Sequence, residues 1–193
     1  MHVMQAVLRF LFDFPYFRRP KYKYIMKNIS VIGAGTMGNG IAHVFAMNGF
    51  KVNVVDVNTD ALQGGRQTIS SNLKRMVKKG KISPELQDLT LERLKWYTDM
   101  KEAVQDADLV VEAATENLDL KLNIFEQLSS MTKEDAILAT NTSSISITKI
   151  ASVTASPERV VGMHFMNPVP IMKLVEVIRG YSTSDEVAEQ IVD

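Results

Sequence analysis

Residues near the C-terminal end of this chain have types and spacing that could move a proton. His164 closes an apolar run that starts at Arg159, and Glu176 follows twelve residues later, across Pro168 and Pro170. A histidine oriented by a carboxylate is a general base poised near neutral pH. Such a base can take the proton of a secondary alcohol while hydride leaves the same carbon. The carboxylate fixes the ring and stabilises the imidazolium that forms. A serine and an asparagine accompany them in Asn141-Thr142-Ser143-Ser144 and in the stretch from Met163 to Glu176, a set that suits oxidation of a hydroxyl group. Taken alone, a histidine on a strand is more often structural than catalytic, and Glu176 could equally be a solvated strand residue.

Hydride needs an acceptor, and the N-terminal half offers a place for one. Gly33-Ala34-Gly35-Thr36-Met37-Gly38 follows the β-branched run Ile29-Ser30-Val31-Ile32 and precedes a helical pattern. In a dinucleotide site the first glycine permits the tight turn, the second lets backbone N–H groups approach the pyrophosphate, and the third lets helix pack on strand. The helix N-terminus then presents free N–H donors to the phosphates. Asp56 ends the next apolar run, where a carboxylate can accept both ribose hydroxyls and would repel a 2′-phosphate. Val57-Asn58 provides no arginine to offset that repulsion, so the expected cofactor is NAD rather than NADP.

These groups must be positioned by alternating elements. Strands are expected near 29–33, 51–56, 94–98, 109–114, 136–140, 159–165 and 172–178, the last antiparallel at the sheet's edge. Helices are expected after the glycine turn, ending at Asn48-Gly49, from a Thr59 cap to about Lys79, from Pro84, over 118–131 and over 147–153. Gly64-Gly65 inside the long helix predicts a local irregularity there. His43 is read as helix packing. The fold class is α/β, a Rossmann-type doubly wound, mostly parallel sheet with a helical insertion after the second strand. Ligands of such sheets bind at the carboxyl ends of the strands. Asn141–Ser144, His164, Glu116 and Lys121 all follow strands on that rim, and the proline turn can return Glu176 beside His164.

Composition excludes several alternatives. Lys+Arg and Asp+Glu are 22 each among 193 residues, so no global field draws nucleic acid or an anionic membrane. With no cysteine and three separated histidines, a metal site is not expected. The lack of cysteine fits a reducing, cytoplasmic setting. Residues 1–25 are apolar and aromatic, then basic. Arg9 and Asp13 interrupt the apolar run, and the basic cluster lies on the wrong side of it for a signal peptide. They read as an extension upstream of a domain spanning 26–193. A capped helix opening at Ser182 meets the end of the chain at Asp193, as in a fragment.

Four segments together carry a resemblance: Gly33–Gly40, Val110-Val111-Glu112-Ala113-Ala114-Thr115-Glu116-Asn117, Asn141–Ser144 and His164–Glu176. From about Met26 onward the sequence resembles the L-3-hydroxyacyl-CoA dehydrogenase family, most closely its bacterial 3-hydroxybutyryl-CoA members. The resemblance implies reversible, NAD-dependent oxidation of (S)-3-hydroxyacyl-CoA to 3-oxoacyl-CoA, in fatty-acid β-oxidation or butanoate metabolism. It places the catalytic histidine on His164, its partner on Glu176, and the serine that contacts substrate and cofactor on Ser143. The nicotinamide-side contacts fall on Glu116, Lys121 and Asn167, the ribose acid on Asp56, and the coenzyme A contacts on Asn72 and Lys79. A lysine beside a coenzyme A phosphate makes electrostatic sense in a chain without net charge.

The family also has an all-helical domain that builds its homodimer and closes over the acyl chain. This chain has no counterpart of it, which implies a complete dinucleotide site, an incomplete substrate site, and a monomeric or weakly associated state. The β-hydroxyacid dehydrogenases share a glycine turn ending in Met-Gly, but depend on a catalytic lysine, and the His164 motif argues against them. A non-catalytic NAD-binding relative, of the crystallin type, is the alternative of a different kind.

Overall fold

The structure, a computed structural model, describes residues 26–192 and the backbone of Ala6–Val7. The strands are β1 (Ala6–Val7), β2 (Asn28–Ile32), β3 (Lys51–Val55), β4 (Leu94–Tyr97), β5 (Leu109–Glu112), β6 (Ile137–Thr140), β7 (Val160–Phe165) and β8 (Val175–Arg179). The helices are α1 (Thr36–Met47), α2 (Thr59–Lys78), α3 (Pro84–Glu92), α4 (Met100–Val104), α5 (Leu118–Met131), α6 (Ile147–Ala151) and α7 (Asp185–Val192).

One sheet contains every strand, in the order β1-β8-β7-β6-β5-β2-β3-β4. β2 to β7 pair in parallel, and β8 runs antiparallel to β7. The chain winds outward from β2 through β3 and β4, then returns to β5 on the other side. The switch between β2 and β5 opens the crevice where doubly wound sheets bind ligands. This is the expected Rossmann-type fold, with α2 and α3 as the helical insertion.

Central strands are apolar on both faces because helices cover both. β5 is buried throughout. One face packs Ile29, Val31, Val52, Val54 and Val111 against α1 and α2. The other packs Ile32, Val110 and Leu138 against Phe125 and Leu128 of α5 and Ile150 of α6.

Several local expectations are corrected. Asn58, not Thr59, caps α2: its Oδ1 accepts from the N–H groups of Asp60 (2.8 Å) and Ala61 (3.3 Å). α2 runs unbroken through Gly64-Gly65. Gly65 is there for closeness, since a Cβ on it would lie 2.9 Å from the Ala34 carbonyl oxygen. The single-turn α4 has no signal in the pattern, yet Asp99 caps it and it buries Ala103 and Val104. β8 begins at Val175 rather than Met172, because the N–H groups of Ile171 and Met172 are turned back onto the Pro168 carbonyl. Nor is β8 the edge: β1 pairs with it antiparallel, Ala6 opposite Ile178 and Val7 opposite Val177. These two residues of the N-terminal extension therefore join the sheet, while expectations for the rest of residues 1–25 lie outside the described residues. Among the described residues, no helix is long and apolar enough to cross a membrane.

Candidate active site

The glycine turn leaves β2 with Gly33 at φ +97°, a conformation side chains rarely adopt. A Cβ on Gly38 would stand 1.8 Å from the Gly33 carbonyl oxygen, so α1 can start this close to β2 only with glycine there. A Cβ on Gly35, by contrast, would meet nothing within 4 Å. It faces open space above the turn, where a pyrophosphate would lie against backbone N–H groups. No side chain caps the N-terminus of α1 and its first turn carries no acid, so these donors are left to a ligand. Asp56 braces the turn from the end of β3, its Oδ2 accepting from the Ala34 N–H at 2.8 Å and its Oδ1 from the Asn58 N–H at 2.9 Å. The residues present fit a dinucleotide with unphosphorylated ribose hydroxyls.

Beyond the turn the rim widens into a cleft of about 350 Å³ lined by Met37, Ala113, Ala114, Glu116, Asn141, Ser143, His164, Phe165, Met166 and Asn167. It gathers Met37, Glu116, Ser143 and the run His164–Asn167 from four separate stretches of sequence. The antiparallel register sets His164 directly opposite Glu176. His164 Nδ1 lies 2.8 Å from Glu176 Oε2. The carboxylate can only accept, so Nδ1 carries a proton, and in the neutral ring Nε2 then holds the lone pair. The His164 side chain is 23% exposed, open enough to meet a substrate and sheltered enough to be held. Ser143 is exposed on the loop after β6, and the Asn141 side chain joins that loop to β7 by accepting from the Phe165 N–H at 2.8 Å.

Lys121 departs from expectation. It is not on the rim: its side chain is 1% exposed, and its ammonium lies 2.7 Å from Glu112 Oε1, inside the protein. Glu112 is wholly buried at the end of β5 and also accepts from the Thr140 hydroxyl (2.6 Å) and the Ala114 N–H (2.7 Å). Glu116, above Lys121, accepts from the hydroxyls of Thr142 and Ser144. Burial pushes the Glu116 carboxyl up, but these hydroxyls, the Lys121 ammonium and the Ser143 N–H outweigh it and hold the group below the usual carboxylate range. Glu112 and Thr142 were not singled out in the sequence. The signal for Glu112 is a glutamate ending an apolar run, where a buried carboxylate needs a cation close by.

Asn72 and Lys79 do not meet His164 in this cleft. They line a neighbouring one of about 340 Å³ with Arg75, Met76, Lys81, Pro168, Pro170 and Ile171. The two clefts flank the segment 165–171. The basic residues Arg75, on the exposed face of α2, and Lys81, just past its end, were also missed, having no pattern of their own. Among the described residues, no cluster of histidine and carboxylate side chains could hold a metal ion.

Residues 28–193 match the family described as 3-hydroxyacyl-CoA dehydrogenase, NAD binding domain. The chain is 47% identical over 165 residues to a 3-hydroxybutyryl-CoA dehydrogenase of Bradyrhizobium diazoefficiens, covering 86% of this chain and 56% of that protein. It is 46% identical to the 3-hydroxyadipyl-CoA dehydrogenase of Escherichia coli, covering 87% of this chain and 35% of that one. The crystal structure of (S)-3-hydroxybutyryl-CoA dehydrogenase from Ralstonia eutropha superposes with a TM-score of 0.84 at 46% identity, covering 86% of this chain and 59% of that one. The chain thus spans a little over half the length of the 3-hydroxybutyryl-CoA dehydrogenases it matches. Glycine turn, Asp56 and rim cleft all lie within the matched span, and the chain belongs to the 3-hydroxyacyl-CoA dehydrogenase family through its NAD-binding domain.

Proposed function

We propose that this chain supplies the cofactor site and the proton-transfer groups for reversible, NAD-dependent oxidation of short (S)-3-hydroxyacyl-CoA esters, 3-hydroxybutyryl-CoA foremost, to 3-oxoacyl-CoA. The observation that carries this reading is the His164–Glu176 pair, 2.8 Å apart, facing a cleft that continues from the glycine turn. The bound nicotinamide supplies the hydride acceptor. His164 Nε2 takes the proton of the 3-hydroxyl as that hydride departs. Glu176 holds the ring and offsets the positive charge that develops on it. Ser143 donates to the oxygen that becomes the ketone, and Asn167 bounds the nicotinamide side of the cleft. Lys79, with Asn72, holds the coenzyme A portion in the adjoining cleft. Fatty-acid or butanoate metabolism is the setting this chemistry serves.

The test is NADH oxidation on addition of acetoacetyl-CoA, followed by absorbance. In whichever form turns over, this chain alone or its fusion to the remaining half of a 3-hydroxybutyryl-CoA dehydrogenase, His164→Ala should cut the rate by about a hundredfold or more, the usual range for losing a general base. Undiminished turnover in that variant would remove His164 from the mechanism. No turnover, either by this chain or after fusion to the remaining half of a 3-hydroxybutyryl-CoA dehydrogenase, would favour a non-catalytic NAD-binding protein instead.

A further inference from the structure

We propose that Gly40 is a positioning residue for the wall between the two clefts: by receiving Val169 at close range, it sets where the segment 166–174 stands against the acyl-CoA ester. The proposal rests on the functional reading above for the ligand of the second cleft.

This segment faces both ways. It carries Asn167 into the cleft that holds His164, and Pro168, Pro170 and Ile171 into the one that holds Asn72 and Lys79. Little ties it down. β7 ends at Phe165 and β8 begins at Val175. Among the described residues, its backbone hydrogen bonds run only within the turn, from the N–H groups of Ile171 and Met172 to the Pro168 carbonyl. Prolines at 168 and 170 have no N–H to offer a neighbouring element. Val169, between them, is the one buried residue of the segment, at 4% exposure. It packs into the same core as Ile41, Ala42 and Ala46 of α1. A single apolar anchor therefore holds the wall to the body of the protein.

Gly40 lies where that anchor lands. It is buried within α1, and a Cβ on it would stand 2.9 Å from Val169 Cβ, 3.0 Å from Val169 Cγ2 and 3.7 Å from Pro170 Cδ. Alanine would suit the helix better than glycine, so the close approach explains the residue and helix formation does not. Side-chain rotation cannot relieve such a contact, because Cβ is fixed to the backbone and valine is stiff about χ1. One of the two backbones has to move. α1 is not free to: Gly38 already lies against the Gly33 carbonyl, and Ile41, Ala42 and Ala46 are wholly buried. The wall, with its one anchor, is free to. Its displacement would shift Pro168, Pro170 and Ile171 relative to Asn72 and Lys79, and would leave the glycine turn in place.

The test is Gly40→Ala in the 193-residue chain, with acetoacetyl-CoA and ADP-ribose as probes read by calorimetry. Acetoacetyl-CoA binding should weaken about tenfold, the scale of one overpacked contact. ADP-ribose, which reports the glycine turn and Asp56, should change by less than about twofold. Amide hydrogen exchange should quicken over residues 165–172 and stay unchanged in β2. The double variant Gly40→Ala, Val169→Ala removes the branching methyls, lets the wall settle back, and should recover most of the lost affinity. Gly64→Ala, in a helix where a Cβ would meet nothing within 4 Å, controls for the substitution itself and should alter neither probe. Equal weakening of both probes would mean that α1 moves instead of the wall, and would overturn the proposal. So would unchanged acetoacetyl-CoA binding, unchanged exchange at 165–172, or a double variant no better than the single one. A parent chain that binds ADP-ribose but not acetoacetyl-CoA sinks the functional reading of the second cleft. The exchange comparison between parent, single and double variants then still decides whether Gly40 places the wall.

Discussion

His43 shows how much a single buried residue can shape behaviour in solution. It sits within α1, wholly buried, and neither ring nitrogen has a hydrogen-bond partner. Burial alone pushes its pKa down to about 4, because the charged ring would have to form away from water. Its unfolded-state value is the ordinary 6.5. Between those values the unfolded chain binds a proton that the folded chain refuses. Stability is therefore full above pH 6.5 and falls as pH drops from there toward 4. The expected loss is roughly 2 kcal/mol between pH 7 and pH 5, from about 1.4 kcal/mol per pH unit across the window. Urea denaturation at the two pH values measures it, and His43→Leu should flatten the dependence. Glu116 and Asp108, both held below the usual carboxylate range, lose their contribution only at lower pH, which separates the two effects. His164 differs because β8 brings it a carboxylate. The sequence separates the two histidines by motif, but only the register of β7 and β8 shows that the Glu176 partner is real.

At the scale of elements, the helices start where short polar side chains can satisfy their first N–H groups. Ser83, Asp99, Asn117 and Ser146 do this for α3, α4, α5 and α6, as Asn58 does for α2. Asn58→Ala should lower the unfolding free energy by about 1 kcal/mol, the usual worth of such a cap, measured by chemical denaturation. NADH affinity should hold, because Asp56 is met by the backbone N–H of residue 58 and not by its side chain. The boundary of α2 was legible to within one residue, since both Asn58 and Thr59 are capping types and only the backbone angles distinguish them. α4 was not legible: five residues are too few for a periodicity. It forms because Ser30 and Asn53 donate to the Ala103 carbonyl at 2.6 and 2.8 Å from strands far away in sequence.

Across the whole molecule, balanced charge hides strong local asymmetry. Arg75, Lys79 and Lys81 gather beside Pro168, Pro170 and Ile171 in a cleft next to the one that holds His164, and Ile171 is 73% exposed. An apolar floor with a basic rim suits a ligand that is part hydrocarbon and part phosphate. Lys79→Ala should raise the KM for acetoacetyl-CoA by about tenfold, as expected for one charge-assisted contact, while leaving the NADH dissociation constant unchanged. Added salt should raise that KM in the parent more than in the variant. Steady-state rates at two ionic strengths decide this.

Local pattern carries the strand–turn–helix of the dinucleotide site, the alternation of the central strands with the longer helices, and the residue types able to move a proton or receive phosphate. Glycine spacing and apolar periodicity act over a few residues, so they can be read along the chain. Tertiary structure alone decided which distant side chains share a cleft and which do not. It put Lys121 beneath the rim against Glu112, set Asn72 and Lys79 apart from His164, and laid β1 along β8. The reason is physical. A buried charge goes to the nearest compensating charge in space, and an edge strand to the nearest open backbone, and neither neighbour is fixed until the sheet has formed.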